Sequence, residues 1–207
     1  MKPRLLTICI PLLIILNHTK SFTQTDSNAV AKAEKFVTKH SIKVDSKIIN
    51  YTATVGTMIL KNEKEEPIAS FGYTAYVKDG ETDPSKRPIT FSYNGGPGSS
   101  SMWLHMGIMG PRRVVVNDPL PNGPAPYKVE DNIYTILDVS DVVMMDPIGT
   151  GLSRATGKTS KNSDFWGVDS DIKSVSQFIY YYTNENERWN SPKYLLGESY
   201  GTFRSAG

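Results

Sequence analysis

Short β-branched and aromatic runs alternate along this chain with charged turns and two amphipathic stretches. Ile48 to Leu60 and Ile68 to Val77 are rich in valine, isoleucine, threonine and tyrosine, and the charged segment Lys61-Asn62-Glu63-Lys64-Glu65-Glu66 with Pro67 separates them. Two such runs around a polar turn predict an antiparallel hairpin. Lys78 to Arg87 carries Asp79-Gly80 and Pro84 and reads as a connecting loop before a strand at Ile89 to Tyr93. A helix around Met102 to Met109, a long Pro- and Gly-rich surface loop from Asn117 to Pro126 and an apolar strand at Val142 to Met145 follow. Between about Asp169 and Tyr182 a helix is expected, with Val168, Ile172, Val175, Ile179 and Tyr182 sharing a face. In the run Phe178, Tyr180, Tyr181 and Tyr182 the rings serve as helix packing plus exposed phenols. A last strand covers Lys193 to Leu196. Upstream, Asn28 to His40 places Ala31, Ala33, Phe36 and Val37 roughly on one side and reads as a short surface helix or flexible leader.

The first residues change the picture of where the chain works. Lys2 and Arg4 followed by the apolar run Leu5 to Leu16 have the build of a secretory signal spanning 1–23, too short to cross a bilayer as a stable helix. Pro11 argues against a buried N-terminal helix. The product is therefore expected to be secreted or periplasmic, with no stable membrane span after cleavage. Cys9, the single cysteine, lies inside that run, so a processed chain relies on packing and not on disulfides.

At 207 residues, 39% hydrophobic and 21% charged, the chain has an ordinary globular balance and room for one domain. The formal charge of +2 turns slightly negative once Lys2, Arg4 and Lys20 leave with the signal, and no basic patch invites nucleic acid. His18, His40 and His105 are scattered without ligand-like spacing, so neither a metal nor another cofactor is expected. Asn17 and Asn50 each head an Asn-x-Ser/Thr triplet, which matters only in a eukaryotic secretory route. Nothing in the pattern specifies an oligomeric state.

Tyr194-Leu195-Leu196-Gly197-Glu198-Ser199-Tyr200-Gly201 is an apolar strand running into Gly-x-Ser-x-Gly, the sharp turn that lifts a serine hydroxyl above a sheet for nucleophilic attack. Glycines at 197 and 201 let that turn form without side-chain collision. The motif alone is weak, but the preceding strand gives it the context the mechanism requires. Asn94-Gly95-Gly96-Pro97-Gly98-Ser99-Ser100-Ser101 also lies between a strand and a helix, where backbone N–H groups can approach a substrate oxygen. It lacks the Gly-Lys-Ser/Thr ending of a phosphate-binding loop. The amides of Gly96 and Tyr200 are thus the expected oxyanion donors. Hairpin, then parallel strands with covering helices, then elbow, predicts an α/β class chain holding the first part of an α/β-hydrolase sheet, cut after the elbow. The acid and base that activate the serine follow it in this architecture and are expected beyond Gly207.

Four segments carry a family resemblance: Asn94 to Ser100, Gly110-Pro111, Asp146-Pro147-Ile148-Gly149-Thr150-Gly151-Leu152-Ser153, and Gly197 to Gly201. In order and spacing they resemble the serine carboxypeptidase family, over Ile48 to Gly207, and look closest to cysteine-poor bacterial members. The resemblance implies an exported hydrolase that releases C-terminal residues from a peptide substrate through an acyl-enzyme, without cofactor. By position Ser199 resembles the nucleophile, Gly96 and Tyr200 the oxyanion donors, and Asn94, Gly95 and Glu198 the group that holds the substrate's terminal carboxylate. Asp146 resembles a pocket-rim residue and also suits a turn anchor. His105 precedes the serine and reads as a packing residue, not the base. Two positions depart from the family: Ser92 stands in place of a tryptophan and Ile108 in place of a glutamate. Two close carboxyls favour protonation of one, so Glu198 without its partner is expected to repel a peptide carboxylate and to shift activity to less acidic pH or other substrates. An esterase or acyltransferase of the same fold and a non-catalytic remnant are the competing readings.

Overall fold

The structure, a computed structural model, describes residues 32–116 and 123–207. The proposed signal segment, with Cys9, Asn17 and His18, and residues 117–122 of the Pro/Gly-rich loop lie outside the described residues.

The chain enters as an antiparallel meander of β1 (Lys35–Val44), β2 (Lys47–Lys61) and β3 (Pro67–Lys78). The β2–β3 hairpin is the predicted one, and Asn62 closes its turn by accepting the N–H groups of Lys64 and Glu66 on Oδ1. β1 corrects the helix or leader expected over 28–40 in its part from Lys35 on, residues 28–31 lying outside the described residues. Lys35 to Val44 pairs with β2 along its whole length, and its Val37, Thr38, Ile42 and Val44 are β-branched and prefer a pleated surface. Ile42 and Val44 are buried with Ile49, Tyr51 and Leu137, so a partner strand supplied what local pattern did not.

β4 (Ile89–Tyr93) is next, followed by a single turn α1 (Met102–Leu104) that widens into a π turn at His105–Met109. β5 (Arg112–Val114) and β6 (Val129–Asp131) form a small separate ribbon. Then come β7 (Asp141–Met145), the short β8 (Arg154–Ala155) on the flank of β3, α2 (Val168–Glu185), β9 (Lys193–Gly197) and α3 (Gly201–Ala206). The main sheet runs β1-β2-β3-β7-β4-β9, with β4 parallel to both β7 and β9. β4 and β7 are buried throughout, and the Val142 to Met145 part of β7 is a continuous apolar run, as suits a strand covered on both faces. This mixed sheet with a strand-turn-helix at its far edge is the predicted α/β-hydrolase arrangement.

α2 crosses from β7 to β9 and covers one face of the sheet. Phe178 stacks on Phe71 with centroids 4.6 Å apart, and Tyr182 meets Tyr73 and Phe91 edge-on. The buried stripe is Asp171, Ser174, Val175, Phe178 and Tyr182, while Val168 is 49% exposed. Val175, Ile179 and Tyr182 of the predicted face meet the core, while Val168 is left out and the buried stripe widens to take in Phe178 and an ion pair at Asp171. Met109, Val142 and Met144 pack the opposite face. At the entry ends of the parallel strands, buried Asp141 accepts Arg87 Nε at 2.9 Å and Arg188 Nη1 at 2.6 Å.

Candidate active site

Because β4 and β9 are parallel neighbours, the loops that leave them emerge from the same edge of the sheet, Tyr93 opposite Gly197. β9 ends at Gly197 and α3 starts at Gly201, leaving Glu198, Ser199 and Tyr200 to reverse the chain. Ser199 sits at φ 55°, a left-handed conformation that costs an L-residue about 1–2 kcal/mol. Gly201 N–H to the Glu198 carbonyl at 2.8 Å and Thr202 N–H to the Ser199 carbonyl at 3.0 Å hold it there. A Cβ at Gly197 would lie 2.2 Å from the Gly201 carbonyl oxygen, so the turn admits no side chain at that position. The result is an exposed serine at a strained turn above the sheet.

The glycine loop after β4 presses against this elbow. A Cβ on Gly95 would stand 2.4 Å from the Tyr200 nitrogen and 2.5 Å from the Glu198 carbonyl. Gly95 is buried behind the cleft and contributes this close approach. Gly96 follows at φ 110°. Among the described residues neither the Gly96 nor the Tyr200 N–H donates to another protein group. Gly96 and Ser199 share the wall of a cleft of about 440 Å³.

Asn94 and Glu198 line the same cleft, with Asn94 Nδ2 donating to Glu198 Oε2 at 3.5 Å. Asn94 is otherwise buried, and its Oδ1 accepts the Leu104 N–H at 3.1 Å, so the helix that follows the loop sets its orientation. Ile108 fills the wall beside them, whereas Ser92 is fully buried and donates weakly to Met109 Sδ at 3.9 Å. Ser92 is thus removed from the cleft altogether. Trp103, 68% exposed on the cleft wall, was not singled out by sequence reasoning. Its signal was its place one turn after the glycine loop.

Asp146 is the turn anchor expected of it. Its Oδ1 accepts both the N–H and the hydroxyl of Ser101 at 2.9 Å, and its Oδ2 accepts the Leu152 N–H at 3.0 Å. His105 shares a hydrogen bond of 2.5 Å with the Tyr76 hydroxyl and is engaged away from Ser199, in keeping with a packing role. Burial pushes its imidazole below the ordinary value of 6.5, against the opposing pull of Asp146. A histidine depressed in the folded state contributes stability that is complete above the unfolded value and drains away as pH falls through the folded one. His105→Gln is therefore expected to flatten the acid limb of stability, measured as urea midpoints between about pH 7.5 and pH 5. A limb as steep as that of the parent would refute this.

A second missed group lies beneath the elbow. Arg204 donates from Nε to Asp171 Oδ2 at 2.6 Å and from Nη1 to the Asn94 carbonyl at 2.5 Å, and its guanidinium stands 5.0 Å from the Tyr200 ring centroid. Burial raises the Asp171 carboxyl, while the Arg204 charge and hydrogen bond pull it the other way. The only trace in the sequence was an aspartate in register with Ser174 and Phe178 on the buried face of a helix.

Comparison with known proteins shows the family and the fold. Residues 62–203 match the family profile described as serine carboxypeptidase. Serine carboxypeptidase-like 10 of Arabidopsis thaliana is 27% identical over 139 residues, covering 66% of this chain and 30% of that protein. Serine carboxypeptidase 1 of Hordeum vulgare is 32% identical over 131 residues, covering 60% and 24%. The crystal structure of Kex1(delta)p, a prohormone-processing carboxypeptidase from Saccharomyces cerevisiae, superposes with a TM-score of 0.58 at 23% identity, over 75% of this chain and 33% of that one. That last likeness is one of fold. The chain spans between 24% and 33% of the length of these relatives.

Proposed function

Because the chain belongs to the serine carboxypeptidase family, we propose that it carries the nucleophilic half of an exported serine hydrolase that releases C-terminal residues from peptides. The observation that supports this is the pairing of an exposed, strained Ser199 with two N–H groups, on Gly96 and Tyr200, that are unclaimed among the described residues. Ser199 Oγ would attack the acyl carbon, and the two amides would accept the negative charge that develops on its oxygen. Asn94 and Glu198 would face the leaving residue. The proton on Ser199 needs a base, and the two described histidines are occupied by Thr38 and Tyr76. On this reading the 207-residue chain is inactive alone and its base comes from further sequence. Tyr194 and Leu195, 57% and 46% exposed at the sheet edge, fit a face that more chain covers. Export rests on Lys2, Arg4 and the Leu5 to Leu16 run.

A specific observation favours a second substrate class. Ile108 gives the cleft an apolar wall beside Glu198, which suits a neutral ester better than a free carboxylate. Treatment with a fluorophosphonate tests the core of the proposal. The 207-residue chain is expected to stay unlabelled, and a longer polypeptide from the same gene to be labelled at Ser199 and to lose labelling completely as Ser199→Ala. Labelling that persists in that variant would sink the assignment. Turnover of blocked dipeptides against the matching esters then decides between the two substrate classes.

A further inference from the structure

A second cavity, of about 260 Å³, borders the same glycine loop through Pro97 and Gly98 and shares no lining residue with the Ser199 cleft. Pro147, Ile148, Phe165 and Trp166 give it apolar walls, and Trp166 is 65% exposed at the rim. The polar surface includes Asp171 and Arg204, whose side chains are only 7% and 1% exposed. Arg204 uses Nε on Asp171 Oδ2 and Nη1 on the Asn94 carbonyl. Among the described residues the side-chain hydrogen bonds of this pair use Arg204 Nε and Nη1 and Asp171 Oδ2, which leaves Arg204 Nη2 and Asp171 Oδ1 unused, and both residues border the cavity. The walls are greasy, and the ion pair presents one spare donor beside one spare acceptor at no net charge.

Few chemical groups match that pattern. A carboxylate would accept from Arg204 but meet the Asp171 charge, and an ammonium would meet the reverse problem. A plain alkyl or phenyl group would fill the walls and leave both polar atoms unpaired. A serine or threonine hydroxyl offers a donor and an acceptor but leaves the aromatic walls empty. The volume lies below the roughly 300–1,000 Å³ typical of pockets for whole ligands, which limits the occupant to one ring-sized group. We propose that this cavity is a binding site for a phenol, such as a tyrosine side chain presented by a peptide, whose oxygen accepts from Arg204 Nη2 while its hydroxyl donates a hydrogen bond to Asp171 Oδ1. Trp166 would stack on the ring at the rim. The site goes beyond the hydrolase reading and needs no turnover to be tested.

Calorimetric titration with N-acetyl-tyrosinamide and N-acetyl-phenylalaninamide is the direct experiment. The tyrosine amide is expected to bind at least about tenfold tighter, the difference one hydrogen bond to a charged group makes. Trp166→Ala removes an exposed ring and so spares the fold; it is expected to weaken both ligands several-fold. Arg204→Lys should bring the ratio close to one, and if that variant does not fold, the ligand pair and Trp166→Ala still decide. Equal affinities, no binding of either amide, or an indifferent Trp166→Ala would each overturn the proposal. Ser199→Ala should bind the tyrosine amide like the parent, so loss of the nucleophile assignment and loss of this site give different results.

Discussion

An Asp141→Ala variant is expected to lose about 3–5 kcal/mol of stability, the range found when one partner of a buried ion pair is removed. Asp141 is 1% exposed and satisfies three donors at once: Arg87 Nε, Arg188 Nη1 and the Lys78 N–H at 3.0 Å. The two guanidinium groups are themselves pinned, Arg87 Nη2 to the Leu137 carbonyl at 2.6 Å and Arg188 Nη2 to the Arg87 carbonyl at 2.9 Å. Neither can swing out to water without breaking further bonds. Deleting the carboxylate therefore leaves two buried cations facing each other, at the point where β4, β7 and the approach to β9 converge. For a domain whose total stability is on the order of 5–15 kcal/mol, this is a large share. Urea unfolding followed by far-UV circular dichroism measures it, and the loss should change little with added salt because the charges are buried. Combining Asp141→Ala with Arg188→Met should cost less than the sum of the two single changes, since one stranded cation is then gone. A loss below about 1 kcal/mol would show that the triad is not buried as described.

The second large effect is expected at Gly95, and it falls on chemistry more than on folding. The Cβ of a Gly95→Ala variant would have to displace either the Tyr200 amide or the Glu198 carbonyl, and both are backbone atoms that cannot rotate aside. The loop and the elbow must then part, which carries the Gly96 and Tyr200 N–H groups away from the oxygen they are proposed to share. Loss of one such donor lowers the rate of acyl transfer by about 10²–10³-fold. Fluorophosphonate labelling of Ser199, in a polypeptide that carries the base the proposal calls for, should slow by that factor or more. Gly107→Ala is the matched control, because an added methyl there meets nothing within 4 Å. It should label like the parent. If Gly95→Ala reacted at the parental rate while remaining folded, the loop and the elbow would not form one oxyanion site.

Much of this was legible in the chain. The hairpin of β2 and β3, the buried strands β4 and β7, and the strand that feeds Gly197 were visible because their β-branched, aromatic or apolar runs end at Gly, Pro or charged turns. The elbow and the glycine loop were visible because a turn that tolerates no Cβ leaves its glycines in the sequence. Asp146 could be read as an anchor, since an aspartate at the start of a Pro/Gly turn has backbone donors within reach. β1 was not legible, because its pattern is weak and its strand character comes from pairing with β2. The inward turn of Asp171 on α2 was missed for a related reason: spacing alone could not show that it would meet Arg204.

What the amino-acid order determined by itself was local: which segments extend, which coil, where the chain must turn on glycine, and which serine the turn would raise. What the tertiary structure alone decided was which distant residues share a wall. The parallel pairing of β4 with β9 brought Gly95 against Tyr200 and Asn94 against Glu198, and the packing of α2 set Asp171 under the elbow with Arg204. The physical reason is that glycine, proline and β-branched preferences act within a few residues. Burying a charge or pressing a glycine loop against a distant turn instead depends on groups about a hundred positions apart, such as Asn94 and Arg204, and only the folded sheet brings them together.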